Sequence, residues 1–408
     1  MPERTIAPVA LVGALDTKHE EYGFVRSRLA AREVASLLVD TGVLGEPGLE
    51  ADVDREAVAR AGGGDLGALV AAGNRNDAMV AMASGAARMV QRLYQSGQVS
   101  GVMVLGGSNA GFVMSRLADA LPIGCPKMLL STIVAGDTRP YVQASDLTMM
   151  YPIVDIAGLN SISLPVLARA ADALAGMVTA PPIPAIGTNL RSVACSMFGV
   201  TTPCVTALHD ALVGNGVEVQ VFHATGTGGM TLERMIRSGA FAAVADVTTT
   251  ELADELLGGV CSAGPDRLSA AAACGVPQVV STGALDMANF GPRATVPPQF
   301  AGRNLFEHNP AVTLMRTSAD ECARLGEIIA AKLGEATAFT EVHVPARGFS
   351  QISTPGGPFH DPEADRALVD SLRSELDSRI PLHVHDLDIN DPAFAGHITE
   401  ALNRALES

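Results

Sequence analysis

Short apolar or β-branched runs alternate with amphipathic stretches along most of this chain, and this alternation limits the possible folds more than any other feature. A typical amphipathic stretch is residues 76–94, where Met79, Met82, Met89 and Leu93 recur at helical spacing. Alternating strands and helices are typical of βαβ units, which build mostly parallel sheets. In the first half, the predicted strands are residues 9–15, 35–40, 99–105 and 127–134.

The densest proline cluster of the chain, Ala180-Pro-Pro-Ile-Pro184, separates two stretches of this alternation, and we place a domain boundary there. The predicted domains are residues 1–180, with a glycine-rich, partly ordered insertion at 44–76, and residues 181–408. The second half resumes with predicted strands at 185–188, 218–223, 242–247, 278–281, 313–315, 341–344 and 383–387. The predicted fold class is therefore α/β, with two Rossmann-like lobes, mostly parallel sheets and a ligand cleft between the lobes.

Charge and apolar patterning exclude several classes of partner. The chain has 28 Lys and Arg against 44 Asp and Glu, for a net charge of −16. Because nucleic-acid binders concentrate basic charge, nucleic acid is not an expected partner. No uncharged apolar stretch approaches the ~18 residues that span a membrane, so we expect no membrane partner. Six cysteines without a CxxC pattern are typical of buried thiols in a reducing compartment, which predicts a cytoplasmic protein.

Three strand-to-helix turns are rich in glycine and hydroxyl groups, the composition that binds anions where parallel strands end. The clearest of these turns follows residues 219–223. In the alternative interpretation, it is a tight turn that needs glycine only for its own backbone geometry. Beside a third turn, Lys18 is one of three lysines in the chain, although it could simply lie on the surface of the next helix. The predicted ligand-binding residues are Asp16, Thr17 and Lys18; Gly106, Gly107, Ser108 and Asn109; Thr225, Gly226, Thr227, Gly228 and Gly229; and Arg267.

The sequence offers few residues for catalysis or metal binding. Candidate acids or bases are His223, Glu233 and Asp286, and candidate metal ligands are Asp16 and Asp286, with Mg²⁺ the expected ion. There is no Gly-Lys dipeptide, which excludes a Walker A loop, and no Gly-x-Ser-x-Gly, HExxH or Cys/His zinc spacing. His383-x-His385 places two imidazoles on one strand face, which we interpret as a surface or half-buried pair.

Five segments occur in the order that is characteristic of a known family. They are residues 13–18 (GALDTK), 106–109 (GGSN), 222–229 (FHATGTGG), 283–290 (GALDMANF) and 354–362 (TPGGPFHDP). From residue 9 to residue 394, the chain resembles the family that includes the ATP-binding N-terminal domain of the tomato mosaic virus resistance protein and stand-alone bacterial members. This resemblance implies two Rossmann-like lobes, ATP as ligand and a homodimer.

Three functions remain open at this point. The leading one is an ATP-binding protein that holds the phosphates on these turns, with Lys18 and Arg267 supplying positive charge. The second is a metabolic lyase or hydrolase that acts on a small carboxylated or phosphorylated sugar-like substrate. The third is a regulatory module that senses nucleotide without turnover. Whether the protein is an enzyme is left open by the sequence.

Overall fold

A computed structural model describes residues 6–142, 144–181 and 191–408, and the chain divides into two compact units, 1–184 and 185–408. The predicted strand at 185–188 and most of the proline cluster lie outside the described residues. The predicted α/β class with two mostly parallel sheets is confirmed. No helix within the described ranges is long and apolar enough to cross a membrane.

The N-terminal unit is built on one parallel sheet with strand order β2-β1-β3-β4-β5. Its strands are β1 (Val9–Gly13), β2 (Ser36–Asp40), β3 (Gly101–Gly106), β4 (Lys127–Ser131) and β5 (Thr148–Met150). Its helices are α1 (His19–Ala30), α2 (Arg55–Ala61), α3 (Leu66–Ala72), α4 (Arg75–Gln95), α5 (Ser108–Ala120), α6 (Arg139–Val142) and α7 (Ser163–Thr179).

Both faces of this sheet are buried because strand side chains alternate between them. Val9 and Leu11 belong to the core on the face covered by α1 and α7, and Ala10 and Val12 to the core covered by α4 and α5. The segment 44–76, predicted to be a partly ordered insertion, contains α2 and α3. A Cβ atom at Gly85 of α4 would lie 1.9 Å from the carbonyl oxygen of Val58, so glycine allows α2 and α4 to pack closely.

The C-terminal unit holds a parallel sheet with strand order β14-β13-β9-β8-β6-β7 and an antiparallel sheet with strand order β10-β12-β11. Its strands are β6 (Ser192–Met197), β7 (Glu218–His223), β8 (Ala243–Thr248), β9 (Gln278–Gly283), β10 (Met287–Phe290), β11 (Leu305–Asn309), β12 (Val312–Arg316), β13 (Thr340–Pro345) and β14 (Leu382–His385). Its helices are α8 (Thr202–Gly214), α9 (Thr227–Arg237), α10 (Glu251–Leu257), α11 (Ala270–Cys274), α12 (Ala319–Leu333), α13 (Pro362–Glu375) and α14 (Pro392–Glu407).

Three helices of this unit, α12, α13 and α14, begin at side-chain caps. Ser318 and Glu321 form a capping box at α12, in which each side chain accepts the other residue's backbone N–H. Asp361 and Asp391 cap α13 and α14, each followed by proline at the first helical position. These caps satisfy backbone donors that would otherwise remain unpaired, and so they fix where each helix leaves its preceding loop.

Candidate functional site

The strand order of the N-terminal unit defines where a ligand is expected. In this sheet, β2 lies on one side of β1 and β3 lies on the other. The connection that leaves β1 and the connection that leaves β3 therefore run in opposite directions along the sheet. In open parallel sheets, ligands bind beyond the carboxyl ends of the strands at this kind of switch point. Residues 14–18 follow β1 and Gly107 follows β3, so the switch point brings two of the three predicted turns together.

A buried tyrosine links β1 and β3 near the switch point. The Tyr22 hydroxyl donates to the carbonyl of Val12 on β1 and accepts the N–H of Leu105 on β3 at 3.1 Å. A Cβ atom at Gly13 would lie 1.9 Å from the Tyr22 hydroxyl oxygen, so only glycine fits beside the ring. Burial raises the pKa of Tyr22 well above its ordinary value, which keeps the hydroxyl protonated as a donor.

A cavity of about 290 Å³ lies at the carboxyl ends of β1 and β3. It is lined by residues of both turns together with residues from β2 and α4: Gly13, Ala14, Thr17, Lys18, Thr41, Arg75, Val104, Leu105, Gly106, Gly107, Ser108, Asn109, Ala110, Val113 and Asp155. Of the predicted ligand-binding residues, Thr17, Lys18 and Gly106 to Asn109 therefore share one cavity, and Asp16 lines an adjoining one.

The first turn of α5 presents unpaired backbone donors to this cavity. Gly107 is the N-cap and supplies no side-chain acceptor. The N–H of Ala110 bonds back to the Gly107 carbonyl at 3.0 Å, whereas the N–H groups of Ser108 and Asn109 have no acceptor among the described residues. The N-terminus of a helix carries partial positive charge, so this turn favours a bound anion. Gly106 has φ of +143°, a conformation that favours glycine.

Two cationic side chains and one carboxylate line the same cavity. Lys18 precedes α1 and Arg75 begins α4. Within the described residues, neither cation has a carboxylate partner within 4.0 Å, so both charges are available to a ligand. The carboxylate is Asp155, whose Oδ1 accepts the N–H of Ile156 at 2.8 Å. The cavity wall therefore carries mainly hydrogen-bond donors and positive charge, together with one acidic side chain.

An adjoining cavity of about 330 Å³ has a more apolar wall. It shares Thr17, Lys18 and Arg75 with the first cavity and adds Met79 and Met82 from α4 together with Val43 and Leu44. Asp16 lies at its edge, where Oδ2 accepts the N–H of Leu44 at 2.8 Å and the buried Oδ1 has no hydrogen-bond partner in the described part of the chain. An end rich in N–H donors and positive charge thus continues into a methionine-lined end, and methionine side chains adapt to flat apolar groups.

The predicted turn at 225–229 in the C-terminal unit has a different environment. The N–H groups of Gly226 and Gly229 both donate to Oε1 of Glu251, at 2.7 and 3.0 Å. Glu251 is fully buried, and a Cβ atom at Gly229 would lie 2.1 Å from its Oε2. The remaining predicted residues, Thr225, Thr227 and Gly228, flank these donors. Sequence analysis assigns this turn to ligand phosphates, but its inward N–H groups bind a carboxylate of the chain itself.

Arg267, predicted to neutralise phosphate charge, lies in the same buried network. Its guanidinium is fully buried, forms a bidentate pair with Asp246, and donates Nε to Glu251 at 2.6 Å. Asp246 is on β8 and accepts the hydroxyl of Ser196 on β6 at 2.6 Å. These strands flank the switch point of the second parallel sheet, so charged side chains of the chain fill the position that a ligand takes in related folds.

The three candidate catalytic residues lie in separate environments of the C-terminal unit. Glu233 is buried, pairs with Arg267 and accepts the N–H of Ala270 at 2.7 Å, so it caps α11. Asp286 is fully buried and accepts the hydroxyl of Ser350 at 2.7 Å, and burial raises its pKa to about 6. His223 is exposed at the end of β7, beside the ring of Phe198. None of the three lines either of the two cavities at the first switch point.

Sequence analysis missed several residues of the N-terminal cavities. Thr41 follows β2, Arg75 begins α4, and Asp155 lies in the connection before α7. These segments lack the glycine-rich pattern that marks the predicted turns. Thr41 becomes a candidate only when the strand order places the ends of β1 and β2 side by side, and Asp155, which follows β5, only from its place in the cavity wall. Arg75 carries a weaker signal, because it follows the N-cap Asn74 and begins an amphipathic helix.

Comparison with known proteins gives consistent matches along the whole chain. Residues 7–182 match the profile of the Uncharacterised protein family (UPF0261) N-terminal domain, and residues 191–406 match the profile of its C-terminal domain. A UPF0261 protein of Clostridium tetani is 42% identical over 400 residues, covering 98% of this chain and 99% of that protein. A UPF0261 protein of Mesorhizobium japonicum is 40% identical over 404 residues, covering 97% and 99%.

A plant protein is similar over a smaller share of its length. The ToMV resistance protein Tm-1(GCR237) of Solanum lycopersicum is 41% identical over 309 residues, which are 74% of this chain and 41% of the plant protein. The resemblance noted from the five sequence segments is therefore confirmed.

Proposed function

The chain belongs to the uncharacterised protein family UPF0261, and we propose that it is an ATP-binding protein whose N-terminal unit holds the nucleotide at the β1/β3 switch point. The observation that carries this proposal is the convergence of unpaired α5 N–H groups, Lys18 and Arg75 on one cavity. Helix N-termini and cationic side chains together neutralise phosphate oxygens in proteins that lack a Walker A loop.

The adjoining apolar cavity supports a nucleotide over a small sugar acid. A sugar acid needs hydroxyl partners around its whole carbon chain, whereas an adenine ring needs a flat apolar space. Met79, Met82 and Val43 supply such a space, and Lys18 lies on the wall of both cavities. We therefore place the phosphates against Gly107 and the base against Met79 and Met82.

Bound phosphates would bring Mg²⁺ into the cavity, because this cation prefers phosphate and carboxylate oxygens. We assign its protein contact to Asp155, which lines the same cavity as Gly107 and Lys18. This assignment replaces the predicted Mg²⁺ contact at Asp286, which is fully buried against Ser350. Asp16 remains a second candidate for Mg²⁺ or ribose through its unpartnered Oδ1.

Replacing Lys18 tests the phosphate end of the site. We expect Lys18→Met to weaken the binding of Mg·ATP by roughly 10- to 100-fold, because a charge-assisted hydrogen bond contributes ~1.5–3 kcal/mol. Adenosine has no phosphate, so its affinity should stay unchanged in the same variant. Isothermal titration calorimetry of the full chain with ATP, ADP and adenosine measures both effects.

Arg92→Met is the matched control, because Arg92 is an exposed cation at the other end of α4 from Arg75. It should bind ATP as the parent protein does. Equal affinity of the Lys18→Met variant and the parent protein for ATP would contradict the proposed phosphate position. Binding and turnover of a panel of sugar acids without any ATP binding would support the metabolic-enzyme alternative instead.

A cytoplasmic location and a homodimer complete the proposal. The location is supported by Cys125, Cys195, Cys204 and Cys322, which are buried and form no disulfide. The homodimer rests on the family resemblance. A contribution from the turn at 225–229 stays a prediction, as does hydrolysis of the bound nucleotide.

A further inference from the structure

The edge of the parallel sheet in the C-terminal unit carries a ladder of histidines and one glutamate. Glu341 and His343 lie two residues apart on β13, so their side chains share one face. On β14, His383 is paired in register with His343, and His385 shares its face. The ring of His397, on α14, stacks on His385 with ring centres 4.4 Å apart.

Three of these side chains converge on one point. Oε2 of Glu341 lies 3.1 Å from Nε2 of His343 and 3.6 Å from Nε2 of His383. One ligand atom from each of the three residues lies within 4.8 Å of the other two. Four-coordinate Zn²⁺ binds nitrogen and oxygen at ~2.0–2.2 Å, which requires neighbouring ligand atoms roughly 3.3–3.6 Å apart. The two measured distances are close to this spacing.

The histidine of this trio that is closest to solvent lacks a partner at the convergence point. Nε2 of His383 is buried and forms no hydrogen bond among the described residues, although 42% of the side chain is exposed. One edge of the ring thus faces solvent while its nitrogen faces Glu341. An unpaired buried nitrogen costs free energy, and a bound cation would remove that cost.

A neighbouring imidazole suits metal binding at this point. Nδ1 of His343 lies 3.1 Å from Nε2 of His385, a contact of the kind that orients metal-binding imidazoles through their other nitrogen.

We propose that Glu341, His343 and His383 form a binding site for a divalent cation of the zinc class. Two imidazoles and one carboxylate select Zn²⁺, Co²⁺ or Ni²⁺ over Mg²⁺ and Ca²⁺, which prefer oxygen ligands. Three protein ligands leave one coordination position for water or another small ligand. The site fastens β14, the last strand of its sheet, to β13. It is independent of the proposed nucleotide site, which lies in the other unit.

One group opposes cation binding and provides a diagnostic test. Nη2 of Arg404, on α14, donates to Oε2 of Glu341 at 2.7 Å and competes with a cation for that oxygen. Because 51% of the Arg404 side chain is exposed, it can move into solvent when the cation binds. Arg404→Met should therefore bind Zn²⁺ more tightly than the parent protein, whereas a salt bridge with only a structural role predicts no gain in metal affinity.

The experiment is titration of the full, metal-free chain with Co²⁺ and Zn²⁺. We expect one equivalent of Co²⁺ to give the visible absorption of a tetrahedral site, Zn²⁺ to displace it, and Zn²⁺ to raise the melting temperature. His383→Ala should lower the affinity at least ~100-fold, because even outer-shell changes cost 10- to 100-fold. Since His383 is partly exposed, circular dichroism of this variant should remain that of the parent.

His397→Ala is the matched control, because this imidazole lies in the same cluster but outside the three-residue set. It should keep the parent affinity. The proposal is overturned if the parent protein binds no Co²⁺ or Zn²⁺, if His383→Ala binds as the parent does, or if His397→Ala loses binding while His383→Ala retains it.

Discussion

Replacing Gly107 with aspartate is expected to abolish ATP binding while leaving the protein folded and no less stable. Gly107 is the N-cap of α5, and a Cβ atom there would meet nothing within 4 Å. Aspartate is among the best N-cap residues, and a negative charge at a helix N-terminus is stabilising. The same carboxylate would occupy the position that the proposal gives to a phosphate.

The size of the effect follows from electrostatics. Two like unit charges ~4 Å apart near a protein surface repel by about 4 kcal/mol at an effective dielectric constant of about 20, so we expect the affinity for ATP to fall at least ~100-fold. Titration calorimetry measures the affinity, and chemical denaturation followed by circular dichroism measures the stability.

Gly107→Asn separates charge from shape. Asparagine has nearly the same size as aspartate and also caps helices well, but it carries no charge. The asparagine variant should retain most of the affinity for ATP. If the aspartate and asparagine variants both bind ATP as the parent protein does, the nucleotide binds elsewhere. If both variants lose affinity for ATP by the same factor, charge is not the cause of the loss.

Replacing Arg267 with methionine is expected to destabilise the C-terminal unit by about 3–5 kcal/mol, the usual cost of leaving buried charges without their partner. Arg267 is fully buried and contacts the carboxylates of Asp246, Glu251 and Glu233. Removal of the guanidinium leaves three buried acidic groups without this positive charge, although Glu233 and Glu251 keep their hydrogen bonds from backbone N–H groups and Asp246 keeps the one from the Ser196 hydroxyl. Urea unfolding followed by circular dichroism measures the loss.

The destabilisation should depend on pH in a defined direction. Without Arg267, burial and mutual repulsion raise the carboxyl pKa values of the folded state above those of the unfolded chain. The folded variant then binds more protons than the unfolded one, so its stability falls as pH rises. The difference in free energy of unfolding between the parent protein and the Arg267→Met variant should therefore be smaller at pH 5 than at pH 8.

Arg347→Met is the control for the removal of an arginine from an ion pair. Arg347 pairs with Asp386 on the surface, with side chains 60% and 81% exposed. Because solvent screens such pairs, this variant should unfold almost as the parent protein does. Similar unfolding of the Arg267 and Arg347 variants would contradict the role that we assign to the buried network.

Much of the fold could be predicted because strand and helix periods differ. The strands predicted at 9–15, 35–40 and 127–134 contain β1, β2 and β4 and are one to three residues longer than these. The sequence pattern does not indicate β5, β6, β10 or β11. Residues 148–150 are short, and residues 305–309 include Glu307, His308 and Asn309, whose polar side chains obscure a strand pattern. Periodicity also does not reveal that β12 pairs with β10 and β11 in a separate antiparallel sheet.

The candidate site, too, could be predicted only in part from the sequence. Residues 16–18 and 106–109 were predicted because glycine, hydroxyl and lysine side chains at strand ends are typical of anion binding. The turn at 225–229 carries an equally strong pattern, but its anion is Glu251, more than twenty residues further along the chain. A glycine-rich turn indicates that an anion binds there and does not reveal whether that anion is a ligand or a side chain.

The most direct test of the proposed nucleotide site is hydrogen–deuterium exchange of the full chain, measured by mass spectrometry with and without Mg·ATP. The proposed site predicts that ATP slows amide exchange in residues 106–111, where the unpaired N–H groups of Ser108 and Asn109 become hydrogen-bonded to phosphate, and in residues 13–18, which line the same cavity. Slower exchange confined to residues 225–229, or no change anywhere at saturating ATP, would contradict it.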